Sequence, residues 1–94
     1  QSKFVNKHIE SIKRLVFEVH YHSCEKLQMD FYEVRVMTEL NNSENKNPLT
    51  FDKFYFKVSD IDEKESLDEG LLIKIYDYMH EYGLKCKYDL KIIN

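Results

Sequence analysis

Ninety-four residues with a formal charge of −3 set the outer limits. A chain of this length closes one hydrophobic core, so a single domain over 1–94 is expected. The slight acidity excludes bulk attraction to nucleic acid or to an anionic membrane, and no apolar run approaches the ~20 residues that cross a bilayer.

The hydrophobic fraction of 43% and charged fraction of 33% are those of a globular protein rather than a disordered tail. Seven Tyr and six Phe supply the bulk a small core needs. Two cysteines, Cys24 and Cys86, are too few for a disulfide framework and read as free thiols in a reducing, cytoplasmic setting. Only two glycines occur, Gly70 and Gly83. Phosphate-cradling loops need several, so a P-loop, a dinucleotide fingerprint and a nucleophile elbow are excluded, and no cofactor is expected.

Residues 3–14 predict an amphipathic helix, because Phe4, Val5, His8, Ile9, Ile12 and Leu15 recur on one face. At Leu15 the period changes to two: Leu15, Phe17, Val19 and Tyr21 alternate with Val16, Glu18, His20 and His22, which predicts a strand over 15–22. A second strand is expected over 30–39 and a third over 50–58. Between them, residues 41–48 carry no apolar side chain and read as an exposed, flexible loop. Three strands without an intervening helix predict an antiparallel meander.

The second helix, 67–82, has the clearest signals. Ser66 and Glu69 form a capping-box pattern, Leu67, Leu71, Leu72, Ile75, Tyr78, Met79 and Tyr82 make an apolar stripe, and Gly83 stands where a left-handed C′ residue belongs. A last strand over 84–92 follows, its alternating lysines suited to a sheet edge, with either edge open to it. The expected fold is a two-layer α+β sandwich of order α-β-β-β-α-β. A three-strand meander plus a C-terminal strand form the sheet, with both helices on one face.

Three constellations merit chemical attention. His20, His22 and Cys24 alternate on one strand, so their side chains could approach a common metal ion. The acidic stretch 60–69 reads as solvated capping residues at a helix start rather than paired catalytic carboxylates. The outer sheet face gathers Arg35, Lys53, Lys57, Lys85 and Lys87 around Phe31 and Tyr55, an aromatic and basic mixture that suits single-stranded nucleic acid. Phe31, Met37 and Tyr55 on the sheet, with Ile73 and Tyr76 on the helix, are apolar groups beyond what the core uses.

The reading that follows is a non-enzymatic protein–protein interaction module, contacting another protein or a second copy of itself through Phe31, Met37, Tyr55, Ile73 and Tyr76. The alternatives are nucleic-acid binding on the sheet and, behind it, a small metal-binding enzyme at His20, His22 and Cys24. No membrane partner is expected.

Overall fold

A computed structural model describes residues 12–40 and 49–93. Strands β1 (Ile12–Cys24), β2 (Met29–Leu40) and β3 (Leu49–Lys57) form the expected antiparallel meander. A 3-10 turn (Val58–Asp60) leads toward helix α1 (Leu67–Glu81), and strand β4 (Lys87–Ile93) ends the described chain. β4 pairs parallel to β1, giving one mixed four-stranded sheet of order β3-β2-β1-β4 with α1 on one face. Of the described helices, none is long and apolar enough to cross a membrane.

Residues 12–14 correct the sequence reading. They open β1 instead of closing a first helix, whose remaining residues 3–11 lie outside the described chain, as does the expected loop 41–48. The register with β2 slips between Ile12 and Arg14, which marks a β-bulge. A regular strand would turn Ile12 and Leu15 to opposite faces, but the extra residue brings both inward, where each is buried. The bulge therefore produces in a strand the i, i+3 spacing of a helix.

The first hairpin turns over Glu25–Gln28, closed by the Gln28 N–H donating to the Glu25 carbonyl at 3.1 Å. Gln28 takes φ 48°, a left-handed conformation filled here by neither Gly, Asn nor Asp. A second register slip, between Val36 and Met37 against Asp52 and Thr50, bulges β3. It leaves Asp52 on the helix side, where it accepts a 2.7 Å hydrogen bond from the Tyr78 hydroxyl. Burial and that carboxylate push the Tyr78 phenol far above its ordinary range.

The core lies between sheet and helix. Leu15, Phe17 and Val19 of β1 and Val34 and Val36 of β2 have no exposed surface, nor do Leu71 and Ile75 of α1. Each such side chain contributes about 1.5–3 kcal/mol by leaving water. Phe17 meets Tyr78 and Tyr88 edge-on at 5.8 and 6.0 Å, while Phe54 stacks on Tyr78 at 5.0 Å.

Both ends of α1 follow their sequence signals. Ser66 Oγ accepts the Glu69 N–H at 3.2 Å, satisfying one free N-terminal donor. At the other end Gly83 has φ 65°, its N–H donates to His80 O, and the Leu84 N–H donates to Met79 O at 2.8 Å. These paired bonds, with buried Leu84 and Met79, are a Schellman motif. The acidic stretch before α1 serves its turns: Asp60 accepts the Lys57 N–H and Asp62 the Lys64 N–H.

Gly70 is buried, and a Cβ there would meet Ile61 Cγ2 at 2.6 Å. Alanine's helix propensity offers about 1 kcal/mol, against about 1–3 kcal/mol for overpacking a stiff β-branched neighbour. Gly70→Ala is expected to lower stability in urea denaturation by about 1 kcal/mol. In a double-mutant cycle, Ile61→Ala should remove that penalty; a Gly70→Ala protein more stable than wild type contradicts the close packing.

Candidate interaction surface

The sheet face away from α1 displays, by register, Arg14, Val16, Glu18, His20 and His22 of β1 and Phe31, Glu33, Arg35 and Met37 of β2. Lys53, Tyr55 and Lys57 of β3 and Lys87, Asp89, Lys91 and Ile93 of β4 complete it. Lys85 does not join them. β4 begins at Lys87, and Lys85 lines a groove on the helix side with Tyr76, His80 and Tyr88. The alternation at Leu84, Lys85 and Cys86 starts in the helix cap, which spends Leu84 as its apolar contact.

Glu33 is the hub of this face, its side chain only 9% exposed. Arg35 Nε donates to Oε1 at 3.0 Å, His22 Nε2 lies 3.5 Å from the same oxygen, and the Tyr55 hydroxyl donates to Oε2 at 3.3 Å. Lys53 Nζ stands 3.9 Å from Oε2. Burial raises this carboxyl, but the hydrogen bonds with Arg35 and His22 and the charges of Arg35 and Lys53 outweigh it and hold it below its ordinary value. The network continues as Arg35 Nη1 approaches Glu18 at 3.9 Å and Glu18 meets His20 Nε2 at 2.6 Å. Arg14 pairs with Asp89.

The carboxylates of the face whose side chains are described, Glu18, Glu33 and Asp89, thus have partners within it. Against them stand Arg14, Arg35, Lys53, Lys57, Lys87 and Lys91. Among the described residues no ion pair engages Lys57, Lys87 or Lys91. The face is locally positive on a chain of net negative charge.

At the hairpin end of this face three rings form a row across three strands. His22 stacks on Phe31 at 5.1 Å with planes 19° apart, and Phe31 meets Tyr55 edge-on at 6.2 Å. Beside the row lies an open, mainly apolar groove of ≈ 530 Å³, formed by Leu27, Met29, Phe31, Tyr55, Phe56, Lys57 and Asp60. Leu27 is 67% exposed and Tyr55 58% exposed, so two of its walls are apolar groups left in water.

The expected contact residues therefore separate. Phe31 and Tyr55 meet in the groove. Met37 shares their face but sits six residues along β2 from Phe31, about 20 Å in an extended strand. Ile73 and Tyr76 are exposed on α1, in the opposite layer, and the Tyr88 hydroxyl donates to that of Tyr76 at 3.2 Å. Of the expected nucleic-acid contacts, Arg35, Lys53, Lys57 and Lys87 share the face with Tyr55. Of the expected metal ligands, His20 is bonded to Glu18 and His22 lies against Glu33 and Phe31, while Cys24 is half-buried. Among the described residues no three His, Cys, Asp or Glu side chains converge to hold a metal ion. Burial raises the Cys86 thiol above its ordinary range, which disfavours a thiolate there.

The hub role of Glu33 and the groove walls Leu27 and Met29 were not anticipated. A carboxylate flanked by Arg35 in its own strand is a visible signal, but His22, Lys53 and Tyr55 become its neighbours only once the register is known. Compared with known proteins, the chain matches no family model, no curated protein and no solved structure.

A depressed carboxyl contributes stability above its ordinary value and loses it as pH falls through the lower folded value. Glu33→Gln is expected to lower Tm at neutral pH, leaving Arg35 and Lys53 short of a counter-charge. The gap from wild type should narrow below pH 4.5, the ordinary value for the group, as Glu33 in the native protein takes up its proton. A gap that widens in acid contradicts the assignment.

Proposed function

We propose that this chain is a non-enzymatic interaction module that docks a partner polypeptide on its outer sheet face, seating an apolar side chain in the groove beside Phe31 and Tyr55. The observation that carries this reading is the groove itself, whose exposed walls Leu27 and Tyr55 stand in water, with Tyr55 continuing the aromatic row of His22 and Phe31. Concave apolar pockets with an aromatic wall are where a few side chains concentrate binding energy. The charge of the surrounding face adds a preference. With its described carboxylates already paired, the face complements a partner whose anchor is flanked by Asp or Glu. Glu33 supports the site by holding Tyr55 from beneath.

A second reading has its own support. A row of rings among lysines also suits single-stranded nucleic acid, whose bases stack on aromatic faces while its phosphates meet the cations.

Selection from a displayed peptide library should enrich sequences with an aromatic or large aliphatic residue beside acidic ones. Tyr55→Ala and Leu27→Ala are each expected to weaken the selected peptide about tenfold, the effect of losing about 1.4 kcal/mol at an anchor, while Met37→Ala has little effect. Equal affinity for Tyr55→Ala and wild type counts against the groove. Salt-sensitive binding of a fluorescent single-stranded RNA, with no peptide enriched, favours the second reading.

A further inference from the structure

The two edges of the sheet are not equivalent. β3 is bulged where its register slips against β2, a feature that bends a strand away from further pairing. β4 keeps an unbroken register with β1 over its whole length, Arg14 with Lys87 through His20 with Ile93. Among the described residues no strand pairs the other side of β4. Its end is apolar and wet: Ile92 is 43% and Ile93 37% exposed. Beside this edge, in the helix layer, stands the exposed Tyr76, whose ring meets that of Tyr88 on β4 at 6.1 Å.

We infer that β4 pairs antiparallel with β4 of a second copy, joining two sheets into one of eight strands. This extends the interaction reading to a second surface. The occupant follows from the strand's own sequence, Lys-Tyr-Asp-Leu-Lys-Ile-Ile. A two-fold symmetric antiparallel pair keeps each side chain on its own face of the joined sheet, so residues opposite one another must come from the same face. Only alternate registers satisfy that rule. Centring the pair on Asp89 opposes two carboxylates, and centring it on Lys91 opposes two ammonium groups. Centring it on Leu90 does neither. Leu90 then meets its counterpart, Asp89 meets the partner's Lys91 twice over, and Tyr88 meets the partner's Ile92 twice over. Lys87 faces the partner's Ile93, and all seven residues of β4 are paired.

In this arrangement the exposed Ile92 gains an aromatic neighbour, and Lys91, with no ion pair among the described residues, gains a carboxylate. Asp89 keeps Arg14 on its own chain and accepts the partner's Lys91 as well. Tyr76 of both copies borders the seam, because a dyad perpendicular to the sheet leaves both helices on the same side.

The test is charge exchange, read by light scattering after size exclusion with circular dichroism as the control for folding. Wild type is expected to have the mass of a dimer. Lys91→Glu sets two pairs of carboxylates against each other and Asp89→Lys two pairs of ammonium groups. Each variant should weaken the dimer about tenfold or more, and an equimolar mixture of the two should recover it, because each then supplies the charge that the other lacks. A second measurement covers the case in which Asp89→Lys loses its fold together with the Arg14 contact. With Cys24 and Cys86 replaced by serine, Leu90→Cys should cross-link to itself under mild oxidation, and Lys87→Cys should not. A monomeric wild type, a dimer indifferent to both charge changes, or cross-linking at Lys87→Cys in place of Leu90→Cys overturns the inference. None of these outcomes touches the groove reading, which stands or falls on Tyr55 and Leu27.

Discussion

β3 and β4 run in the same direction at opposite edges of one sheet, and the chain between them has to cross the two strands that separate them. That crossover is the constraint on which the rest depends. Parallel strands cannot be joined by a tight turn, and a helix laid over the sheet is the usual solution. α1 therefore lies above β2 and β1, where Leu71 and Ile75 bury against the fully enclosed Phe17, Val19, Val34 and Val36. Its flanks reach the two edges, with Tyr78 stacked on Phe54 of β3 and Tyr76 against Tyr88 of β4. The terminal motifs of α1 set the length of the crossing. Ser66 starts the helix, and Gly83 turns the chain sharply enough for β4 to begin four residues later.

A helix on one side leaves the other side of the sheet to meet water among the described residues, and the polar chemistry of that face follows. Buried Glu33 is tolerable because its oxygens accept from Arg35 and Tyr55 with His22 and Lys53 nearby, and among the described residues no buried side-chain polar atom lacks a partner. An unpaired carboxylate at that depth would cost several kcal/mol. The network also gives the face its orientation. It holds the Tyr55 hydroxyl at Glu33, which orients the exposed ring beside the groove.

Where local chemistry alone decides an element, the sequence showed it. Ser66 with Glu69, the apolar stripe of α1 and Gly83 are all short-range signals, and so is the alternation of Leu15, Phe17 and Val19 against Glu18 and His20. Two errors arose where a long-range pairing altered the count. The bulge at the start of β1 gave Ile12 and Leu15 helical spacing, and the helix cap gave Leu84, Lys85 and Cys86 the alternation of a strand. Neither can be recognised without the partner strand or the helix end in view. The candidate site was legible to the same depth. Phe31, Tyr55, Lys53, Lys57 and Lys87 were visible as residues of one face, because parity assigns a face. Their assembly with Leu27, Met29 and Glu33 depended on the hairpin register, which Gln28 sets with a left-handed residue that composition does not advertise.

The groove and the β4 edge lie on opposite sides of the sheet's centre, and this separation gives the two proposed contacts a common logic. The groove belongs to the first hairpin and β3, two strands away from the seam, so occupying one leaves the other free. A dyad perpendicular to the sheet would carry both grooves on the same face of an eight-stranded surface, pointing the same way. A partner that offers two anchors, through a repeated segment or its own symmetry, then binds its second site at the effective concentration set by the spacing between them. Each groove would need to hold only a modest anchor, because joining the copies would multiply weak docking into avidity without any further contact. The plain, unbulged edge of β4 and the small open groove beside Tyr55 are in this sense complementary features of the two proposals: the first would fix how many grooves are presented together, and the second what each one would accept.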